Sequence, residues 1–182
     1  MCNNRCWIRG SGMLRLGLVF VGLVLLSGCA GDREPPPAQP AFYLSMASAS
    51  ARIDPQVAAS MISGYRQNNG LGAVVVDPEL MKAAETQSQA MASRNKLDHN
   101  VAGDLTKRIK ATRFDARLAV ENVSAGYHTL AEAFSGWRDS PPHRANMLKS
   151  GVTKIGIATA YAPNTKYKVF WTLILADSDG RS

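Results

Sequence analysis

Two histidines and a glutamate in this 182-residue chain have the chemistry of a metal site or a proton-transfer site. His143 stands in the run Ser-Pro-Pro-His-Arg-Ala-Asn-Met-Leu, His99 in Leu-Asp-His-Asn, and Glu121 in Ala-Val-Glu-Asn-Val. One carboxylate and two imidazoles can bind a divalent metal or pass protons if the fold brings them together. They could hold Zn²⁺ with water in an open position, or the carboxylate could instead orient one histidine through a hydrogen bond.

The segment before His143 predicts how this histidine is held. Pro141 and Pro142 follow Ser140, which can cap a new helix, and proline suits the first helical position. A rigid turn into a helix therefore fixes His143, as a ligand or a proton carrier requires. A nucleophilic role for Ser140 or Ser135 beside His143 is conceivable, but the capping role explains Ser140 better.

The elements that must position these residues begin with two long helices. An Asp-Pro pair at residues 54–55 and another at residues 77–78 each combine a capping residue with proline, which is the pattern of a helix start. The first helix is predicted to end at Gly70 and the second near Arg94. His99 then lies in the loop beyond the second helix.

Two further helices follow in the predicted order. A shorter one begins after Asp104. Thr129 and Glu132 have the spacing of a capping box, which predicts the start of the next helix. That helix should stop near Ser140, because the prolines that follow cannot continue it.

The C-terminal part changes to a strand pattern. Residues 155–161 alternate between larger and small side chains, and residues 167–176 are rich in β-branched and aromatic residues. A turn at residues 163–165 joins these two strands. Helices first and a β-hairpin last indicate an α+β domain built in layers.

These motifs occur in the same order in a known family. Over roughly residues 50–177, the chain resembles the bacterial branch of the CAP superfamily, which holds cysteine-rich secretory proteins, antigen 5 and pathogenesis-related 1 proteins. The matching segments are Asp77-Pro78-Glu79-Leu80, Leu97-Asp98-His99, Glu121-Asn122-Val123, Trp137 with residues 140–148, Ile155-Gly156-Ile157 and Phe170-Trp171-Thr172. The resemblance implies the SCP-domain fold, a three-layer α-β-α sandwich with a C-terminal β-hairpin. It adds short strands near residues 73–76 and 120–123.

The resemblance also implies that His99, Glu121 and His143 converge in the family's cleft, as catalytic residues or as ligands of zinc. Two departures from the family's pattern favour binding over catalysis. Ser140 stands where the family places a second acidic residue, and Gln87 stands where bacterial relatives often carry a histidine.

The N-terminal segment resembles the signal of a bacterial lipoprotein. Three arginines precede a nearly pure apolar run at residues 16–28, which is shorter than the about 20 residues of a membrane-spanning helix. The run ends in Leu-Ser-Gly-Cys, which resembles a lipobox, so Cys29 is predicted to be lipidated and to become the first mature residue. The alternative is an ordinary signal peptide in which this cysteine occurs by chance.

The predicted organisation therefore has three parts: a lipoprotein signal peptide at 1–28, the lipidated cysteine with a proline-rich linker at 29–44, and a CAP domain at 45–182. The domain is expected outside the cytoplasm, anchored to a membrane of the cell envelope by its lipid. Ala30 rather than aspartate follows the cysteine, which favours the outer membrane in a Gram-negative cell.

The charge and the cysteines limit the partners of the mature domain. Loss of a leader with three arginines and no acidic residue reduces the net charge from +7 to +4. The basic excess is concentrated in Lys107, Arg108, Lys110, Arg113 and Arg117, which suit a solvated helix and loop, or a patch for anionic lipid or cell-wall polymer. Nucleic acid is not expected. With two cysteines in the leader and one lipidated, the mature domain has no thiol for a disulfide or a metal.

Three functions remain open from the sequence. The first is a binding module that presents the cleft to a small apolar molecule, a peptide or a cell-wall component. The second is a zinc-dependent or acid–base hydrolase that uses His99, Glu121 and His143. The third is a structural lipoprotein whose cleft is vestigial.

Overall fold

The computed structural model describes residues 38–178. The predicted signal peptide, Cys29 and most of the predicted linker lie outside the described residues. Within the described residues, no helix is long and apolar enough to cross a membrane.

The described residues form five α-helices and four β-strands. A 3-10 turn at Ala41–Tyr43 is followed by α1 (Pro55–Gln67), β1 (Val75–Val76), α2 (Pro78–Arg94), α3 (Leu105–Ala111), β2 (Ala116–Ala125), α4 (Leu130–Asp139), α5 (Pro141–Met147), β3 (Lys154–Ala162) and β4 (Lys168–Ser178). The four strands form one sheet in the order β1-β3-β4-β2. β1 runs parallel to β3, while β2 and β3 each run antiparallel to β4.

Helices cover both faces of this sheet. Buried residues of α1, α4 and α5 share one apolar cluster with Ile155, Ile157, Trp171 and Leu173 of the sheet. Buried residues of α2 and α3 share another with Ala158 and Ile174. The predicted α+β layered sandwich with a C-terminal hairpin is therefore confirmed.

The helix starts form as the local sequence predicts. Asp54 accepts hydrogen bonds from the first backbone N–H groups of α1, and Asp77 does the same for α2. The capping box of Thr129 and Glu132 is also complete. α1 ends at Gln67, three residues before the predicted Gly70. Gly70 lies in the turn that follows, where it adopts a left-handed backbone angle.

β2 is longer than predicted. It extends over Ala116–Ala125 instead of residues 120–123, and it pairs with β4 along almost its whole length. Its first half lacks the apolar alternation of a half-buried strand, and an exposed Arg117 interrupts it. β2 lies at one end of the strand order, so one of its edges is not paired with another strand of the described sheet.

The close approach of α2 to β3 depends on a glycine. A Cβ placed on Gly156 would lie 2.3 Å from the carbonyl carbon and oxygen of Leu80 in α2. No side chain larger than hydrogen fits there without movement of the helix. The small residue at this position of the hairpin therefore allows α2 to pack closely on β3.

Two tryptophans anchor the opposite face of the sheet. Trp137 and Trp171 are fully buried and pack edge to face, with ring centroids 6.3 Å apart. Each indole N–H has an acceptor: Trp137 donates to the Ser124 hydroxyl at 3.1 Å, and Trp171 donates to the Tyr127 carbonyl at 2.8 Å. Buried indoles with satisfied N–H groups are structural anchors.

Sequence reasoning missed a second kind of anchor, the buried Arg66 of α1. Its guanidinium donates to the carbonyls of Gly72, Met147 and Lys149 at 2.9 Å each, and to that of Val152 at 3.1 Å. Burial lowers the pKa of Arg66. These bonds tie the end of α5 and the loop before β3 to α1, and so fix the position of α5.

Candidate functional site

The candidate site is built on the unpaired edge of β2. Glu121 lies opposite Ile174 of β4, and Asn122 lies opposite Leu173. Since neighbouring side chains of a strand point to opposite faces, Glu121 faces the side of α2 and α3, and Asn122 faces the side of α5. One dipeptide thereby contacts both helical layers.

Glu121 is a buried carboxylate with a partner on each oxygen. Its side chain is 4% exposed, and Oε1 lies 2.8 Å from Nδ1 of His99. Oε2 lies 2.6 Å from Nη2 of Arg108 in an ion pair whose geometry is not that of a hydrogen bond. A buried carboxylate needs such compensation, because burial of an unpaired charge is costly.

Arg108 is the site residue that sequence reasoning missed. Its side chain is 2% exposed, so its predicted place in a solvated basic helix face or a surface patch is wrong. Its Nε donates to the Gly103 carbonyl and its Nη2 to the His99 carbonyl, both at 3.2 Å. The available signal was its position next to Ile109 on the inward face of α3. A cation on that face must find a partner inside the protein.

His99 presents one ring nitrogen to the protein and leaves the other available. Its side chain is 55% exposed although Nδ1 is bonded to Glu121. A carboxylate only accepts hydrogen bonds, so Nδ1 carries the proton in this pair and the neutral ring keeps its lone pair on Nε2. Nε2 is then the nitrogen that can bind a metal or accept a hydrogen bond from a ligand.

Gln87, where bacterial relatives often carry a histidine, holds the loop of His99. It is fully buried in α2. Its side-chain amide donates to the Asp98 carbonyl at 2.7 Å and accepts from the Ala102 N–H at 3.2 Å. Gln87 therefore holds the loop at Asp98, directly before His99, and at Ala102, three residues after it.

His143 lies in the first turn of α5, which two asparagines attach to β2. Asn122 donates to the His143 carbonyl at 3.0 Å. Asn146 donates to the Asn122 side chain and to the Glu121 carbonyl, both at 2.9 Å. Asn122 therefore has a structural role, since it satisfies a backbone carbonyl of α5.

The two imidazoles influence each other electrostatically. Burial is the main cause that lowers the pKa of His143, and the charge of His99 lowers it further. The structure thus brings His99 and Glu121 into contact, and the charge of His99 reaches the ring of His143.

Ser140 is the N-cap residue of α5, as predicted, but its side chain makes no capping hydrogen bond. A capping side chain accepts from the second or third backbone N–H of the helix. Pro142 at the second position has no N–H, and the hydroxyl does not bond to the third, that of His143. The Ser140 carbonyl accepts from the Arg144 N–H at 2.8 Å.

Comparison with known proteins agrees with this architecture. The family model for the cysteine-rich secretory protein family matches residues 59–175. The chain belongs to the CAP family. The match includes all three predicted site residues of this CAP chain.

Among curated protein sequences, the CAP chain is 31% identical over 99 residues to the uncharacterized protein YkwD of Bacillus subtilis strain 168. That match covers 53% of this chain and 38% of the relative, so the CAP chain spans well under half of YkwD. The relative carries no described activity in its name.

Solved structures share the CAP fold. An extracellular SCP-domain protein from Bacillus anthracis superposes with a TM-score of 0.60 and 24% identity, over 68% of this chain and 40% of that one. An outer surface protein from Borrelia burgdorferi superposes with a TM-score of 0.63 and 19% identity, over 71% of this chain and 98% of that one. At these identities the likeness concerns the fold.

The three predicted site residues of the CAP domain do not form a set of three metal ligands. In residues 38–178, no group of three or more His, Cys, Asp or Glu side chains is placed to hold a metal ion. Glu121 is instead engaged by His99 and Arg108. In this arrangement Glu121 orients the ring of His99.

Proposed function

We propose that this CAP chain is an envelope-anchored binding module, which presents His99 and His143 to a peptide or cell-wall ligand outside the cytoplasm. The observation that supports this most is the contact between His99 Nδ1 and the buried Glu121, which leaves Nε2 of a half-exposed ring directed away from the carboxylate. A ring oriented in advance loses little entropy when it binds.

The polarity of the site favours a polar ligand over a small apolar one. His99 is more than half exposed, and His143 is partly buried. Imidazoles donate to carboxylates and accept from amides, and both groups occur in peptides and in the peptide part of cell walls. A small apolar molecule needs an enclosed, mostly apolar pocket instead.

We also propose that the binding module holds a zinc ion at these two histidines. His99 through Nε2 and His143 would hold the ion, and Glu121 would stay the partner that orients His99. Bound zinc would supply Lewis acidity and open coordination positions for a carboxylate or carbonyl of the ligand. The protein's contribution is the fixed direction of the two rings.

The alternative is a zinc-dependent or acid–base hydrolase that uses His99, Glu121 and His143. If Glu121 were the general base of such an enzyme, its carboxylate would have to take a proton from a water molecule. The Glu121 side chain is 4% exposed, and both its oxygens lie against protein groups. The present geometry therefore does not favour Glu121 as the base, and a hydrolase would have to use an imidazole in that role.

The proposed location rests on the lipobox-like segment that ends at Cys29 and on the nature of the relatives. The structural neighbours named above are described as an extracellular protein and an outer surface protein. The described domain contains no cysteine and is held together by its apolar core. The lipid on Cys29 would attach this domain to the membrane.

Co-sedimentation of the purified protein with isolated peptidoglycan sacculi tests the proposed function. The His99→Ala/His143→Ala variant should bind at least tenfold more weakly than the wild type. His128→Ala is the matched control, because His128 is an exposed histidine away from the site. Equal binding by all three proteins, or binding that the control variant loses equally, would refute a role of the imidazole pair.

A further inference from the structure

A basic groove lies between α2 and α3, with a volume of about 680 Å³. Its charged lining residues are Glu79, Lys82, Lys107, Arg108 and Arg113. We call it the α2–α3 groove. Neither imidazole of the candidate site lines it, so it is a separate feature of the surface.

More basic than acidic side chains line this groove. Glu79 is the one acidic residue of the lining, and Lys82 already pairs with it at 2.7 Å. Lys107 is 82% exposed and forms an ion pair with Asp104 at 3.6 Å, a distance too long for a hydrogen bond. The Arg113 backbone N–H donates to the Lys110 carbonyl at 3.3 Å, while its guanidinium makes no hydrogen bond or ion pair with the described residues. Positive charge therefore remains available to a ligand.

Arg108 adds a buried donor to the wall of the groove. Its Nε and Nη2 are engaged by Gly103, His99 and Glu121. Its Nη1 is buried and has no hydrogen-bond acceptor among the described residues. A buried donor without an acceptor costs free energy, so a ligand oxygen that reached it would be bound favourably.

We propose that the α2–α3 groove binds a phosphate-type oxyanion carried by a ligand. Lys82, Lys107 and Arg113 surround the anion, and Nη1 of Arg108 donates to it from the inner wall. Guanidinium and ammonium groups are the side chains that recognise phosphate oxygens. The volume falls in the range of small-molecule sites, which leaves room for a group attached to the phosphate.

The groove and the imidazole site share one side chain. The guanidinium of Arg108 lines the groove and also neutralises Glu121, which holds His99. The two sites are therefore neighbours with a common charged wall. Anion binding in the groove does not depend on the peptide or wall ligand proposed for the imidazole site. Either proposal can therefore be wrong while the other holds.

Titration of the isotope-labelled protein with inorganic phosphate, followed by amide NMR at constant ionic strength, tests the proposal. Saturable shifts are expected for residues 102–113 and for the first half of α2. Lys107→Gln/Arg113→Gln should weaken the affinity at least fivefold. Lys110→Gln is the matched control, because Lys110 belongs to the same helix but lines a different groove. Its affinity should stay within twofold of the wild type.

A second titration distinguishes the source of the phosphate. Glycerophosphoglycerol, the water-soluble headgroup of a phospholipid, presents a phosphodiester, whereas inorganic phosphate resembles a monoester. Tighter binding of the diester would assign the groove to a lipid headgroup or wall polymer, and tighter binding of phosphate would assign it to a free phosphorylated ligand. Shifts that do not saturate, or that weaken equally in Lys110→Gln, would overturn the proposal.

Discussion

Arg108 and Glu121 form a buried ion pair beneath the edge of the sheet, with Nη2 and Oε2 2.6 Å apart and side chains that are 2% and 4% exposed. The same carboxylate holds the ring of His99. The orientation of the exposed imidazole therefore depends on a cation that lies below the surface.

Removal of Arg108 should destabilise the fold strongly. Arg108→Met leaves the Glu121 carboxylate buried without a cation, which costs about 3–5 kcal/mol for such a pair. Arg108→Met/Glu121→Gln should recover most of this loss, because it removes both charges. Urea denaturation of the wild type, both single variants and the double variant measures the coupling. A loss below about 1 kcal/mol in Arg108→Met would contradict a compensating role.

The pKa of His143 should be lower than that of an unperturbed histidine. Burial, and then the charge of His99, lower its pKa from the ordinary 6.5. The folded protein therefore binds fewer protons at this group than the unfolded chain does, and the group's contribution to stability falls as the pH drops below 6.5.

NMR of the ring protons measures this pKa directly. In His99→Ala the midpoint should rise part of the way towards 6.5, because the larger cause, burial, remains. A wild-type midpoint at or above 6.5 would contradict the predicted direction. A further decrease in His99→Ala would show that the two rings do not repel each other.

Alanine substitution at two glycines of the same domain should change the stability of the fold in opposite directions. Gly156→Ala would press a methyl group against the Leu80 backbone and should cost about 1–3 kcal/mol or more. Gly64→Ala points into open space in the middle of α1 and should stabilise the fold by about 0.5–1 kcal/mol. Thermal and urea unfolding compare the two. A neutral Gly156→Ala would mean that α2 can move away from β3 at little cost.

The proposed lipid anchor predicts a change of cell fraction. Cys29→Ser should move the protein from the membrane fraction to the soluble periplasmic or culture fraction, because the residue that carries the lipid is lost. Cys6→Ser, which changes a cysteine of the predicted leader, should leave the distribution as it is. If Cys29→Ser remains with the membrane, the lipobox interpretation is wrong.

Local sequence patterns predicted the elements better than they predicted the site. Asp54 and Asp77 act within one helical turn, so their spacing to the next residues is sufficient to find both helix starts. Arg108 was missed because arginine in a basic stretch is usually solvated, and only the tertiary contact with Glu121 reveals its burial. The same holds for Arg66, whose four acceptors lie far along the chain or in a loop.

The contact between His99 and Glu121 followed from the family resemblance and not from spacing. These residues are 22 positions apart, and no local rule brings a loop to a strand over that distance. At Ser140 the sequence predicted the N-cap position but not the absence of a side-chain bond. Pro142 removes one donor, but the His143 N–H remains, so the sequence alone does not exclude a capping bond.

The protonation of His99 tests the central claim most directly, that Glu121 fixes this ring for binding. Side-chain ¹⁵N NMR, at a pH where the ring is neutral, distinguishes a proton on Nδ1 from one on Nε2. The proton should lie on Nδ1 in the wild type, with a free lone pair on Nε2. A proton on Nε2 in the wild type would contradict the account, because the carboxylate would then face a nitrogen that has nothing to donate.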